Sequence, residues 1–140
     1  VEVSRILVDT SAYSAHMRSH PEVKEAIGHA SAVCISVISI GELRAGFLKG
    51  SKRRRNEELL RRFITAPRAR VLSVDEETTD RYAAIHDYLR RQGTPIPLND
   101  LWIAATASQH GLRLQTLDAH FLRIPHIIVD FFEPEQRNES

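Results

Sequence analysis

Residues 33–43 read Val33-Cys34-Ile35-Ser36-Val37-Ile38-Ser39-Ile40-Gly41-Glu42-Leu43. Three consecutive apolar residues run up to a serine. Beyond it the apolar positions become Val37, Ile40, Leu43, Ala45 and Leu48, so the period changes from that of a buried strand to that of a helix. Ser36 sits at the change and is a good helix N-cap, because its hydroxyl can accept an otherwise unpaired N–H of the first turn. Gly50 lies near the end of the apolar pattern. A strand apolar on both faces belongs in a sheet covered from both sides.

The same alternation extends in both directions. Ile6-Leu7-Val8 predicts a first buried strand ending at Asp9, with a helix over about 11–18 and another opened by Pro21, a residue suited to the first helical position. After the quoted unit, residues 53–66 predict a helix whose apolar face is Leu59, Leu60 and Phe63, and 71–74 a third strand. Asp75, Glu76 and Glu77 then open a helix that closes with Arg90, Arg91 and Gly93, a charge order that complements the helix dipole. Asn99 or Asp100 opens a helix that is apolar or small nearly all round, stopped by Gly111, and such a helix belongs inside the domain. Residues 112–116 predict a fourth strand, 118–122 a helical turn and 127–129 a fifth strand. The reading is α/β: one three-layer α/β/α domain over 1–133 around a central parallel sheet of about five strands. Residues 134–140 are expected to be a polar C-terminal tail.

Composition narrows the class. The chain has 140 residues, enough for one ordinary core, with 42% hydrophobic and 26% charged residues, as in soluble globular proteins. Cys34 is the only cysteine, which excludes an internal disulfide and suits a reducing, cytoplasmic setting. No apolar run reaches the roughly 18–20 residues of a membrane span, and Arg5 is followed by too short an apolar run for a signal peptide. Formal net charge is +1, yet Lys49, Lys52, Arg53, Arg54, Arg55, Arg61 and Arg62 crowd one stretch against only Glu57 and Glu58. Such a belt attracts a polyanion, with Arg53, Arg54 and Arg55 the candidate RNA contacts. Its bland alternative is a solvated helix face neutralised by i,i+4 pairs.

Ligands in an open parallel sheet bind beyond the carboxyl ends of the strands, where four acids are expected. Asp9 ends the first strand, Glu42 lies less than two turns into the helix after the second, Asp100 opens the buried helix, and Asp118 follows the fourth strand. Taken singly, Asp9 reads as a strand-end turn residue, Asp100 and Asp118 as caps and Glu42 as an exposed helix position. Together they form a cup whose mutual repulsion a cation would relieve. Oxygen-only donors favour a hard ion such as Mg²⁺ or Mn²⁺ over a soft one. One or two such ions suit phosphodiester hydrolysis, because they acidify water and clamp the attacking and leaving oxygens.

At these residues the chain resembles the PIN-domain family, and within it the VapC-type toxins. The resemblance rests on residues 7–11, 35–46, 96–105 and 114–121, the second and third stretches being the specific ones. It implies a metal-dependent endoribonuclease that leaves 5′-phosphate ends without using the 2′-hydroxyl. It further implies a homodimer and a cognate antitoxin that wraps the protein and blocks the acidic pocket. Asp9, Glu42, Asp100 and Asp118 match the family's catalytic and metal-binding acids. Thr116 matches the hydroxyl residue before the last acid, expected to bond a metal-coordinated water, and Ser11 a small polar position near the first. Many relatives carry a further acid where this chain has Ala119 and His120, which leaves open one metal ion or two.

Other readings compete. His16 and His20 have zinc-ligand spacing but lack the HExxH glutamate. An aspartyl-phosphate enzyme with the Asp-x-Asp signature would need an acid at Ser11, and a receiver domain would need paired acids after the first strand. A ribonuclease using two histidines would survive EDTA and leave a cyclic or 3′-phosphate. The alternative from another class is a PIN-fold module that binds RNA or protein without cleaving. His120 is expected to be solvated and Trp102 to be core, while Arg44 is left between a salt bridge and a substrate contact.

Overall fold

The run Ile6–Val8 becomes the middle strand of five. The protein is described here from a computed structural model covering residues 4–135. In chain order its elements are β1 (Arg5–Val8), α1 (Thr10–Met17), α2 (Pro21–His29), β2 (Ala32–Ser36), α3 (Val37–Lys49) and α4 (Arg53–Ile64). Then come β3 (Ala69–Leu72), α5 (Glu76–Gln92), α6 (Leu98–His110), β4 (Arg113–Thr116), a 3₁₀ turn (Ala119–Arg123) and β5 (Ile128–Phe131). The strands are all parallel, in the order β3-β2-β1-β4-β5. Chain direction across the sheet reverses between β1 and β4, which makes their carboxyl ends the topological switch point.

Alternation along each strand separates two cores. Ile6, Val8, Val33 and Ile35 face Tyr13, Val23 and Leu60, whereas Leu7, Cys34 and Leu114 face Ile85, Leu89 and Ile103. Helices therefore cover both faces, giving the three layers read from the sequence. Cys34 is buried within the second core, and burial pushes its thiol pKa up. No helix among the described residues is long and apolar enough to cross a membrane. The tail expected over 134–140 lies, from residue 136 onward, outside the described residues.

Local signals set the element ends. Ser36 Oγ accepts from Ile38 N at 3.0 Å, and Pro21 opens α2. Asp75 and Thr78 form a reciprocal capping box at the start of α5. Gly93 and Gly111 end α5 and α6 with φ of 68° and 62°, in the left-handed region. A Cβ on Gly111 would meet nothing within 4 Å, so substitution there strains the backbone and not the packing. Gly111→Ala is expected to cost about 1–2 kcal/mol, read as a lower midpoint of urea unfolding with an unchanged slope.

Most boundaries fall within two residues of expectation, and three of the differences have a clear local cause. The third strand is Ala69–Leu72, two residues earlier than the Val71–Val74 run. It is an edge strand with Val71 exposed, and Ser73 and Val74 instead lead to the Asp75 cap. The fifth strand begins at Ile128 and reaches Phe131 past a polar residue, Asp130. Arg113 grips Asp130 with two bonds of 3.0 and 2.6 Å from the neighbouring strand, so the acid is compatible with pairing there. Finally α6 starts at Leu98 with Pro97 as N-cap, so neither Asn99 nor Asp100 opens it.

Candidate functional site

Asp9 is held where β1 gives way to α1. It is the N-cap of α1, and its Oδ1 accepts from Ala12 N and from Ser11 Oγ, both at 2.7 Å. Its Oδ2 accepts from Thr116 Oγ1 at 2.6 Å. The two hydroxyls also tie Asp9 to the end of β4. Ser11 Oγ accepts from Leu117 N at 3.0 Å, and Thr116 Oγ1 accepts from Asp118 N at 2.9 Å. Asp9 is only 1% exposed. Burial raises its pKa to about 6 against the pull of the three hydrogen bonds, and the charge of Asp118 pushes in the same direction as burial. Hydrogen bonding alone thus leaves this carboxylate short of compensation for its lost water.

The other acids arrive from three further elements. Glu42 projects from α3, and its Oε1 accepts from Thr10 Oγ1 at 2.8 Å. Asp100 lies in the first turn of α6 and makes no cap bond. Its pKa is raised first by burial, with Glu42 and Asp118 adding to the rise and His120 opposing it. Asp118 stands at the N-terminus of the 3₁₀ turn, again without a side-chain cap bond. Asp118 is therefore felt by both Asp9 and Asp100, and Glu42 by Asp100, whereas among the described residues the group of three or more side chains within metal-holding spacing contains Asp100 and Asp118 but not Asp9 or Glu42. The capping alternative fails for Asp100 and Asp118, whereas Asp9, read alone as a strand-end turn residue, is a helix cap.

The expected residues fall into place unevenly. Ser11 and Thr116 belong to the site, but as donors to Asp9; the Thr116 hydroxyl proton, expected to serve a metal-coordinated water, is directed at Asp9 Oδ2. His120, expected to be solvated, is drawn in by the 3₁₀ turn until its Nε2 lies 2.9 Å from Asp100 Oδ2. One atom each from Asp100, Asp118 and His120 lie within 4.8 Å of one another, a spacing that can hold a metal ion. Thr10 was not singled out from the sequence; only its adjacency to Asp9 hinted at it.

Away from the cup, Arg53 and Arg54 line a groove of about 600 Å³ with Arg61, whereas Arg55 is exposed and does not line it. Its two acids are already engaged, Glu57 by Arg44 at 2.9 Å and Glu58 by Arg62 at 2.7 Å. Arg44 is therefore a salt-bridge residue joining α3 to α4. Trp102 stacks on Tyr82 at a centroid distance of 4.0 Å, consistent with a packing role. His20 caps α2 through Val23 N and His16 packs on Phe63, so the zinc pair does not form.

The donors present fit a hard divalent cation. They are mainly carboxylate oxygens, at least two have pKa values raised in part by their neighbours' charge, and Asp9 retains accepting capacity beyond its three bonds. This arrangement, acids at the switch point of a 3-2-1-4-5 parallel sheet, defines the class of protein. The family model for the PIN domain matches residues 6–127. The ribonuclease VapC4 of Mycobacterium tuberculosis is 32% identical over 129 residues, covering 92% of this chain and 98% of that protein. The toxin FitB of Neisseria gonorrhoeae is 35% identical over 121 residues, covering 81% and 87%. Among solved structures, DNA-bound VapBC from Salmonella typhimurium superimposes with a TM-score of 0.81 at 30% identity, covering 92% of this chain and 98% of that one. This chain belongs to the PIN-domain family, on its VapC-type branch.

Proposed function

We propose that the protein is a metal-dependent endoribonuclease and the toxin of a toxin–antitoxin pair, with Mg²⁺ or Mn²⁺ as its cofactor. The observation that carries this reading is the gathering of Asp9, Glu42, Asp100 and Asp118 from four separate segments into one neighbourhood where the charges of Glu42 and Asp118 raise the pKa values of the other acids. A structural role would disperse such charges; a cation site concentrates them. The similarity to a VapC ribonuclease, to the toxin FitB and to a VapBC complex supports RNA as substrate and an antitoxin as partner. Two copies would pair through α3, whose Val37 and Leu48 are exposed apolar residues.

In this mechanism Asp9, Asp100, Asp118 and Glu42 would hold the metal, and Glu42, steadied by Thr10, would also orient the attacking water. When bound, the ion acidifies water and stabilises charge on the phosphate oxygens. Ser11 and Thr116 keep Asp9 at one orientation by donating to both of its oxygens. The water oxygen bonds to phosphorus and gives up a proton to solvent as the P–O3′ bond breaks, the 3′-oxygen takes up a proton from solvent, and the downstream fragment retains a 5′-phosphate.

Incubation of the protein with a panel of structured RNAs, with Mg²⁺ or Mn²⁺ and then with EDTA, tests this. Metal-dependent cleavage with 5′-phosphate ends is expected. Cleavage that survives EDTA and leaves cyclic or 3′-phosphate ends would replace it with the histidine mechanism, and RNA binding without cleavage would replace it with the binding module. The groove at Arg53, Arg54 and Arg61 is read as a phosphate track. Replacing all three by alanine is expected to weaken cleavage and to reduce the log–log salt slope of RNA binding by about 2, at ~0.7 per single-strand phosphate contact. An unchanged slope would make the groove mere surface.

A further inference from the structure

An imidazole nitrogen enters the acidic cup. His120 Nε2 stands 2.9 Å from Asp100 Oδ2, with the two side chains 23% and 16% exposed. The nitrogen itself is closed off from solvent, and no acceptor around it is aligned for a hydrogen bond. An imidazolium paired with a carboxylate for stability would aim its N–H at the oxygen. A close but unaligned approach is instead what two ligands of one ion show. Adjacent ligands of an octahedral ion, at bonds of about 2.1 Å, stand about 3 Å apart. The ligand atoms of Asp100, Asp118 and His120 all lie within 4.8 Å of one another, close enough to converge on one ion.

We infer that His120 Nε2 is a metal ligand alongside Asp100 and Asp118, and that this nitrogen makes the site prefer a first-row transition ion, Mn²⁺, over Mg²⁺. The chemistry follows from the donors. Mg²⁺ favours oxygen and retains its waters, whereas imidazole nitrogen suits transition ions, whose affinities for mixed nitrogen and oxygen sites rise along the first row from Mn²⁺. The inference rests on the metal-dependent reading above and adds to it the selectivity of the ion.

The test uses the full chain freed of metal, with Mn²⁺ and Mg²⁺ alone as probes. Pulsed electron paramagnetic resonance of bound Mn²⁺ should show modulation from a directly coordinated nitrogen, absent in His120→Ala. Competition titrations should show Mn²⁺ affinity falling at least roughly tenfold in that variant, as loss of groups supporting a metal site typically does, while Mg²⁺ affinity changes little. His120→Asp, which offers oxygen again, should bind Mg²⁺ at least as well as the wild type and show no nitrogen modulation. Melting curves confirm that each variant is folded, and His120→Asp carries the test if His120→Ala is not. Bound Mn²⁺ without nitrogen modulation, and with an unaltered Mn²⁺/Mg²⁺ ratio in either variant, overturns His120 as ligand and leaves the metal-dependent reading standing. Failure of the wild type to bind either ion overturns that reading itself.

Discussion

Asp100→Asn is expected to lower single-turnover RNA cleavage roughly 10³-fold in saturating RNA while leaving the protein folded. The rate effect follows from losing a charged metal ligand. If about 4 kcal/mol of the several that a Lewis-acidic ion contributes is forfeited, the rate falls by that factor. Stability should move the other way. In the metal-free protein Asp100 is pressed by burial and by the charges of Glu42 and Asp118. An amide of the same shape removes that repulsion, and Asp100 supplies no helix cap that would be missed. The metal-free variant should therefore melt no lower than the wild type. Cleavage within tenfold of wild type, or a large drop in melting temperature, would place Asp100 in the structure and not in the chemistry.

The second large effect concerns Asp9 and pH. Its folded-state pKa is about 6 against an ordinary 3.8, because burial outweighs its three hydrogen bonds. The folded state therefore holds the proton that the unfolded state has already released between those values. Where the native state binds more protons, stability falls as pH rises. Metal-free protein should lose about 3 kcal/mol through this residue between pH ~4 and ~6 and little more above. Asp75 and Asp130 carry lowered pKa values and push in the opposite direction, so the quantity to measure is the difference between wild type and Asp9→Asn, by urea unfolding in EDTA. That difference should grow across the window in favour of the variant. Parallel pH profiles would mean that the Asp9 carboxylate is fully compensated by Ser11, Ala12 and Thr116.

How much of this was legible in the sequence depended on whether a residue's role is local. The buried strands β1, β2 and β4 carry continuous apolar runs because helices cover both their faces. Ser36, Pro21 and Gly111 mark helix ends through chemistry confined to a turn. Edge strands obey neither rule. Val71 is exposed and Asp130 is paired across β4, so the apolar run misplaced β3 and β5 by one or two residues. The acids stood out because Asp9 and Asp118 directly follow buried strands and Glu42 and Asp100 lie in the first two turns of helices, positions that the parallel topology turns towards one rim. His120 was not, because its position depends on how the 3₁₀ turn folds back towards α6, a contact between residues 100 and 120 that leaves no periodic trace. Thr10 and the second bonds of Ser11 and Thr116 are likewise made across elements, and the same holds for the pairing of Arg44 with Glu57.

If the four carboxylates form one cation site, a bound ion should stabilise the fold through them, and this gives a simple readout. That site is tested most directly by the melting temperature of the wild type and of an Asp100→Asn/Asp118→Asn variant as Mn²⁺ is added above pH 6. A ligand that binds only the folded state stabilises it in proportion to the logarithm of its excess over Kd. The melting temperature should climb with Mn²⁺ in the wild type and stay flat in the variant. Equal stabilisation of both proteins would show that the ion binds elsewhere and that the four acids are not its site.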